Sequence, residues 1–390
     1  MHKPLFYILL LLVCACAAPE QKPVEIATPI EDTIVPIVHD TTTQEQEFKP
    51  IVNDSINNIF RYVSGMQPSG SAGVKEEYLK NSDWKHYTWQ VNYRWGLYDS
   101  TRMKIIKRWR NEELKPELPG RYNLFYPFSG PDFLNAALFF PEADTVVMIG
   151  LEPSGTIPNL DSLQKDTLKN YFENINTSLS SILTCSFFRT ISMEEDLKRE
   201  DVNGTTHLLG LFLQHSNCNI VAYNYVSIDS AGNWVKTSEE KHNAVEFQYL
   251  DAENKLHVLY YLSQNITDNG LASKKNVTLN LSRLTNKVTY LKSASYLMHK
   301  AYFSRIRNLI VAQSLAILQD DSGLPYFAID TSIYNVKLYG AYKKPIDLFA
   351  KHFQENLKYA YDSLKSKKIP FGIGYQFRRN ESNMQWFKRK

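Results

Sequence analysis

The chain has 390 residues, a net charge of +3, 43% hydrophobic residues and 22% charged residues. That balance is ordinary for a globular body, and so small a net charge excludes the strong basic field of a nucleic-acid-binding protein. The aromatic share, 13% and mostly Tyr and Phe, is high.

The first element is "MHKPLFYILLLLVCACAAPEQ". His2 and Lys3 form a short basic head, Leu5 to Val13 is an unbroken apolar run, and small residues follow. This is the layout of a secretory signal peptide over residues 1–15. The run is shorter than the roughly 20 apolar residues that span a bilayer, and charges interrupt every later apolar run. Val13-Cys14-Ala15-Cys16 resembles the lipobox of bacterial lipoproteins. Cys16 fits that pattern, with Val13 three places before it and Ala15 immediately before it. Cys14 fits less well, because bulky Val13 stands where a small residue is expected. The resemblance implies a diacylglycerol thioether on Cys16, cleavage before it, a palmitate-type acyl group on the new N-terminus, and the lipid bilayer as partner. Burying acyl chains contributes about 0.8 kcal/mol per methylene, so several chains anchor firmly where one does not. The competing reading is an ordinary secreted protein with a cysteine near its cleavage site. Ala17 in place of Asp favours the outer membrane, with the body periplasmic or surface-facing. Residues 16–50 are rich in Pro, Thr, Glu and Val, a composition that buries too little apolar surface to order itself. They read as a flexible tether.

Residues 51–390 read as one large globular domain, helix-rich to about residue 200 and sheet-rich beyond. "SINNIFRYVSGM" predicts a short helix. Trp84, Tyr87, Val91, Trp95 and Tyr98 step by three and four, and Ile105 and Trp109 extend the face a turn later. Such a stripe suits a sugar-stacking platform, but packing on a sheet is its commoner use. Leu168, Phe172, Ile175, Leu179 and Ile182 predict a second helical face, capped by Asn159 or Asp161. After the tight-turn pair Asn203-Gly204 the period changes. "HLLGLFLQ", "NIVAYNYVSI", "AVEFQYL", "KLHVLYYLS", "NVTLNLS" and "KVTYLKS" predict strands, and the short polar turns between them predict antiparallel pairing. "AYFSRIRNLIVAQSLAILQ" predicts a helix with Phe303, Ile306 and Ile310 on one face. "PYFAIDT" and "YNVKLYG" predict strands, "KPIDLFAKHFQENLKYAYDSLK" one long helix, and "IPFGIGYQF" a closing strand. The class is α+β: an antiparallel sheet over about residues 207–292 with amphipathic helices against one face.

Two short stretches hold the candidate site residues. In "YPFSGPDF", Ser129 lacks the Gly-x-Ser-x-Gly frame of a nucleophile elbow. Gly130 permits an unusual backbone angle, Pro131 suits a first helical position and Asp132 a first turn. The stretch therefore predicts a turn opening a helix that Pro141 ends. N–H groups at that helix start suit an anion. Tyr126, Ser129 and Glu152 would frame it if a strand at 145–150 ran alongside. In "LQDDSGLPY", Asp320 and Asp321 stand where a helix is expected to end, against its dipole. Either a capping turn with Gly323 accounts for them, or Lys343, Lys344, Arg378 or Arg379 compensates, or the pair binds a cation or serves as acid and base. His299, Arg305 and Arg307 lie close in sequence, as an anion site or as solvated cations.

Cys185 and Cys218 are available for one bridge in a disulfide-permissive compartment, or as two buried thiols. No cofactor or metal motif occurs: there is no Walker A loop and no His-Glu-x-x-His. Repeated Asp-Ser/Thr pairs resemble bacterial O-glycan acceptors and are equally turn and cap pairs. The body as a whole resembles exported lipoproteins of Gram-negative bacteria to which no activity is attached. That resemblance implies a location and no chemistry. The functional expectation is a lipid-tethered envelope protein that binds a glycan, peptide or protein partner. The alternative is an envelope hydrolase using Asp132, Glu152, Asp320 or Asp321.

Overall fold

In the computed structural model, which describes residues 50–187, 202–378 and 380–390, ten strands form one mixed sheet. They are β1 (Asn123–Pro127), β2 (Thr145–Gly150), β3 (Asn219–Ile228), β4 (Trp234–Lys236), β5 (Ala244–Leu250), β6 (Leu256–Ser263), β7 (Lys287–Leu291), β8 (Ala316–Gln319), β9 (Tyr334–Gly340) and β10 (Asn383–Arg389). Their order is β4-β3-β5-β6-β2-β1-β7-β8-β10-β9. The five central strands, β6-β2-β1-β7-β8, are all parallel. Antiparallel strands extend both edges: β5, β3 and β4 on one, β10 and β9 on the other. Cys16, the signal segment and the tether to residue 49 lie outside the described residues.

The class is α+β, and the sheet is covered on both faces rather than one. Strand alternation sends Leu124, Tyr126, Val146 and Met148 into one core and Phe125, Val147 and Ile149 into the other. Near-continuous apolar runs such as "TVVMIG" belong to parallel strands buried on both sides. The first core is closed by α1 (Asp54–Val63), α2 (Ser82–Tyr98), α3 (Phe133–Phe139), α4 (Leu168–Cys185) and α5 (Thr206–His215). The second is closed by α6 (Lys275–Arg283) and α7 (Ser304–Gln313). Because β1 and β2 come from the helix-rich part, residues 51–200 and 201–390 share these cores.

The aromatic stripe on α2 is core. Trp84 stacks on Tyr62 with ring centroids 5.2 Å apart, and Tyr87 stacks on Phe172 at 4.2 Å. Their polar tips also satisfy the carbonyls that end α1: Trp84 Nε1 donates to Tyr62 O and Tyr87 Oη to Val63 O. Beyond Tyr98 the helix passes through two π turns, Asp99–Met103 and Arg110–Leu114. Each π turn accommodates an extra residue. Buried apolar positions therefore jump by five, Tyr98 to Met103 and Trp109 to Leu114, and Ile106 takes the inward place expected of Ile105.

Several expected elements differ. "HLLGLFLQ" is within α5, whose ten residues are all buried, so no polar face revealed a helical period. "NVTLNLS" is within α6 and buries Val277 and Leu281, an i,i+4 pair. Residues 219–263 pair antiparallel as expected, but β7 pairs parallel with β1 and β8. The helix expected to run to 319 stops at Gln313, and β8 follows. "PYFAIDT" holds only a 3-10 turn. The long helix of 345–364 is a 3-10 turn, Asp347–His352, and then α8 (Glu355–Ser363). Between them Gln354 is drawn inward, accepting from Tyr326 N and donating to Asp321 O. "IPFGIGYQF" is a loop, so tight that a Cβ on Gly372 would lie 1.4 Å from Phe377 O. The closing strand is β10.

Gly210 on α5 packs against α1, where a Cβ would meet Phe60 at 2.0 Å. Alanine gains about 1 kcal/mol in helix propensity, but overpacking costs about 1–3 kcal/mol. Gly210→Ala is therefore expected to lower the urea midpoint. A midpoint at or above wild type would show that the helices separate freely.

Candidate functional site

The strand order reverses at β1, with β2 and β6 to one side and β7 and β8 to the other. Open parallel sheets bind ligands at the carboxyl ends of the strands beside such a reversal. A crevice of about 480 Å³ opens at this place. It is lined by Tyr126, Phe128, Ser129, Gly130 and Asp132 after β1, by Ile149, Gly150, Leu151 and Glu152 after β2, and by Gln264, Asn265, Ile266 and Thr267 after β6. Lys292, Ser293, Ala294, Ser295 and Leu297 follow β7, and Phe187, Tyr302 and Phe303 complete the wall.

The turn after β1 carries two left-handed residues, Phe128 and Gly130. It holds Ser129 so that its N–H donates to Ile149 O at 3.0 Å and its hydroxyl points at the same carbonyl. Asp132 is the N-cap of α3, not a first-turn residue, and its Oδ1 accepts from Asn135 N and Asn135 Nδ2. Its Oδ2 accepts from Tyr126 Oη at 2.8 Å and pairs with Lys292 Nζ at 2.8 Å. Both members of that ion pair are only 2% exposed. Lys292 also donates to Ser186 O at the end of α4. Burial and the neighbouring Asp132 charge push the Tyr126 phenol far above its ordinary value, so it stays a donor. The Asn135 N–H at this helix start, the place expected to hold an external anion, is thus taken by the protein's own carboxylate.

Glu152, after β2, also lines the crevice and is 7% exposed. Its Oε2 accepts from Leu151 N at 3.1 Å and Tyr261 Oη at 3.2 Å. Gly150 leaves room for this fold-back, since a Cβ there would meet Tyr261 Oη at 2.4 Å and Glu152 Oε2 at 2.5 Å.

Asp320 and Asp321 do not line the crevice. They follow β8 rather than a helix, and neither pairs with Lys343, Lys344 or Arg378; Arg379 lies outside the described residues. They hold the wall formed by residues 293–296, where Ser293, Ser295 and Tyr296 are all left-handed. Asp320 accepts from Ser293 N at 2.9 Å, Ser322 Oγ accepts from Ala294 N at 2.8 Å, and Tyr296 Oη donates to Asp321. Each such backbone costs about 1–3 kcal/mol, and strain of this kind collects at functional sites. Burial raises both carboxyls, and the Asp320 charge helps to push Asp321 up to about 7. His299 packs near His352 behind this wall, and burial lowers it to about 4. Arg305 is exposed at the start of α7, its N–H taken by Asp268. Neither residue lines the crevice.

The structure thus brings Tyr126, Ser129, Asp132 and Glu152 together and leaves Asp320, Asp321, His299 and Arg305 outside. Lys292 and the 293–296 wall escaped sequence reasoning; the available signal was a lysine closing the apolar run "VTYL". Cys185 and Cys218 are both free. Among the described residues no cluster of His, Cys, Asp or Glu is placed to hold a metal ion, and no helix is long and apolar enough to cross a membrane. No known protein family and no curated protein matches the chain.

Removing one partner of a buried ion pair costs about 3–5 kcal/mol, because the other charge is stranded. Lys292→Met is expected to lose about that much by chemical denaturation, and adding Asp132→Asn should restore part of it. Equal loss in the single and double variants would mean that the two charges are not coupled.

Proposed function

We propose that this protein is a lipid-anchored binding protein of the bacterial envelope, whose body takes a small ligand, or the end of a glycan or peptide chain, in the switch-point crevice. The observation that carries this reading is the crevice itself. It sits where strand order reverses, has largely apolar walls and gathers a few convergent polar groups, which is the usual make-up of a ligand site. A dinucleotide is disfavoured. Its pyrophosphate needs the N-terminus of the first helix, and Asp132 occupies that place in α3. The hydrolytic alternative has less support. Asp132 shares its oxygens among Lys292, Tyr126 and Asn135, and Asp320 and Asp321 stand behind the wall. The anchor rests on the lipobox resemblance at Val13 to Cys16 and on the tether composition.

Two measurements test the two halves. Labelled palmitate should enter the wild-type chain and not Cys16→Ser; equal incorporation would remove the anchor. Leu151 is 71% exposed at the crevice rim, so Leu151→Trp should narrow the mouth with little effect on the melting temperature. In ligand-observed NMR with a fragment panel on the full chain in nanodiscs, hits are expected that the variant loses. A panel with no hits, or hits unchanged by the substitution, would refute the crevice as the binding site.

A further inference from the structure

The charges around the crevice do not balance. Lys292 is the single cation among the lining residues, and Asp132 already holds it at 2.8 Å, with Ser186 O accepting from the same ammonium. Glu152 is left without a cationic partner among the described residues. Only its Oε2 is engaged, by one N–H and one phenol, and its Oε1 accepts no hydrogen bond from those residues. A nearly buried carboxylate in this condition bears a desolvation cost that a paired cation offsets. Gln264, whose N–H donates to Gly150 O beside it, gives its amide N–H to Asn265 O, which leaves the Gln264 Oε1 as a further acceptor. Part of the lining is aromatic: Phe128 meets Phe303 edge-on at 5.5 Å, and Tyr302 is 53% exposed. Ring faces attract cations, and the net charge of the lining repels anions.

Resting on the crevice reading, we infer that the ligand carries a protonated amine that pairs with Glu152, while its apolar body lies against Phe128, Tyr302 and Phe303. A charge-assisted hydrogen bond supplies the orientation, and the rings supply the contact area. The chemistry fits an aliphatic or aromatic amine, whether free or at the end of a larger chain.

The test is isothermal titration of the full chain in nanodiscs with three probes of one shape: 2-phenylethylamine, 2-phenylethanol and phenylacetate. The amine is expected to bind about tenfold or more tightly than the alcohol, and the carboxylate not to bind. Glu152→Gln should weaken the amine about tenfold and leave the alcohol unchanged. The comparison among probes on wild type stands even if that variant folds poorly. Alcohol binding as tight as amine binding, or amine binding indifferent to Glu152→Gln, would overturn the amine inference and leave the crevice reading intact. No binding of any probe, together with an empty fragment panel, would overturn both.

Discussion

Lys292 and Asp132 meet at 2.8 Å with both side chains almost wholly out of water. Taking two charges that deep costs several kcal/mol per ion, and it is tolerated only when further hydrogen bonds complete both shells. Here Tyr126 and Asn135 complete the carboxylate and Ser186 O helps to complete the ammonium. The pair ties the turn after β1 to the end of β7, the two strands that flank the reversal of order. Through Ser186 it also fixes the end of α4 against the sheet. One electrostatic contact therefore joins the loops that follow the two strands at the reversal of order, and its carboxylate caps α3.

What remains in the crevice follows from that pairing. With Lys292, the one cation of the lining, committed to Asp132, Glu152 lines a largely apolar crevice without a cationic partner among the described residues. The stretch of residues 293–296 keeps its left-handed backbone because the residues after β8 supply acceptors at the right places, Asp320 for Ser293 N and Asp321 for Tyr296 Oη. The acidic pair that looked like a second site thus supports the first. Its raised carboxyls come from burial beside one another.

Elements whose periodicity survives local reading were legible: the α2 and α4 stripes, β2, the antiparallel run of residues 219–263 and the turn at Ser129-Gly130-Pro131. Those that misled share a cause. α5 is apolar all round, so period carried no information. The kink before α8 comes from partners distant in sequence, Asp321 O and Tyr326 N on Gln354. Parallel pairing was illegible for the same reason, since β1 meets β7 with more than 150 residues between them and no hairpin to announce it.

By itself the amino-acid order determined the helical faces, the mixed helix–strand class and the turn that carries Ser129 and Asp132. All of these are set by neighbours within a few residues, through hydrophobic period, backbone freedom and capping. Only the tertiary structure decided that the sheet centre is parallel and clad on both faces, that Lys292 belongs to Asp132, and that Glu152 has no cationic partner among the described residues. Charge pairing across a strand reversal depends on which distant segments become neighbours. Burial fixes that choice, because a charge withdrawn from water must find its partner wherever the fold has placed it.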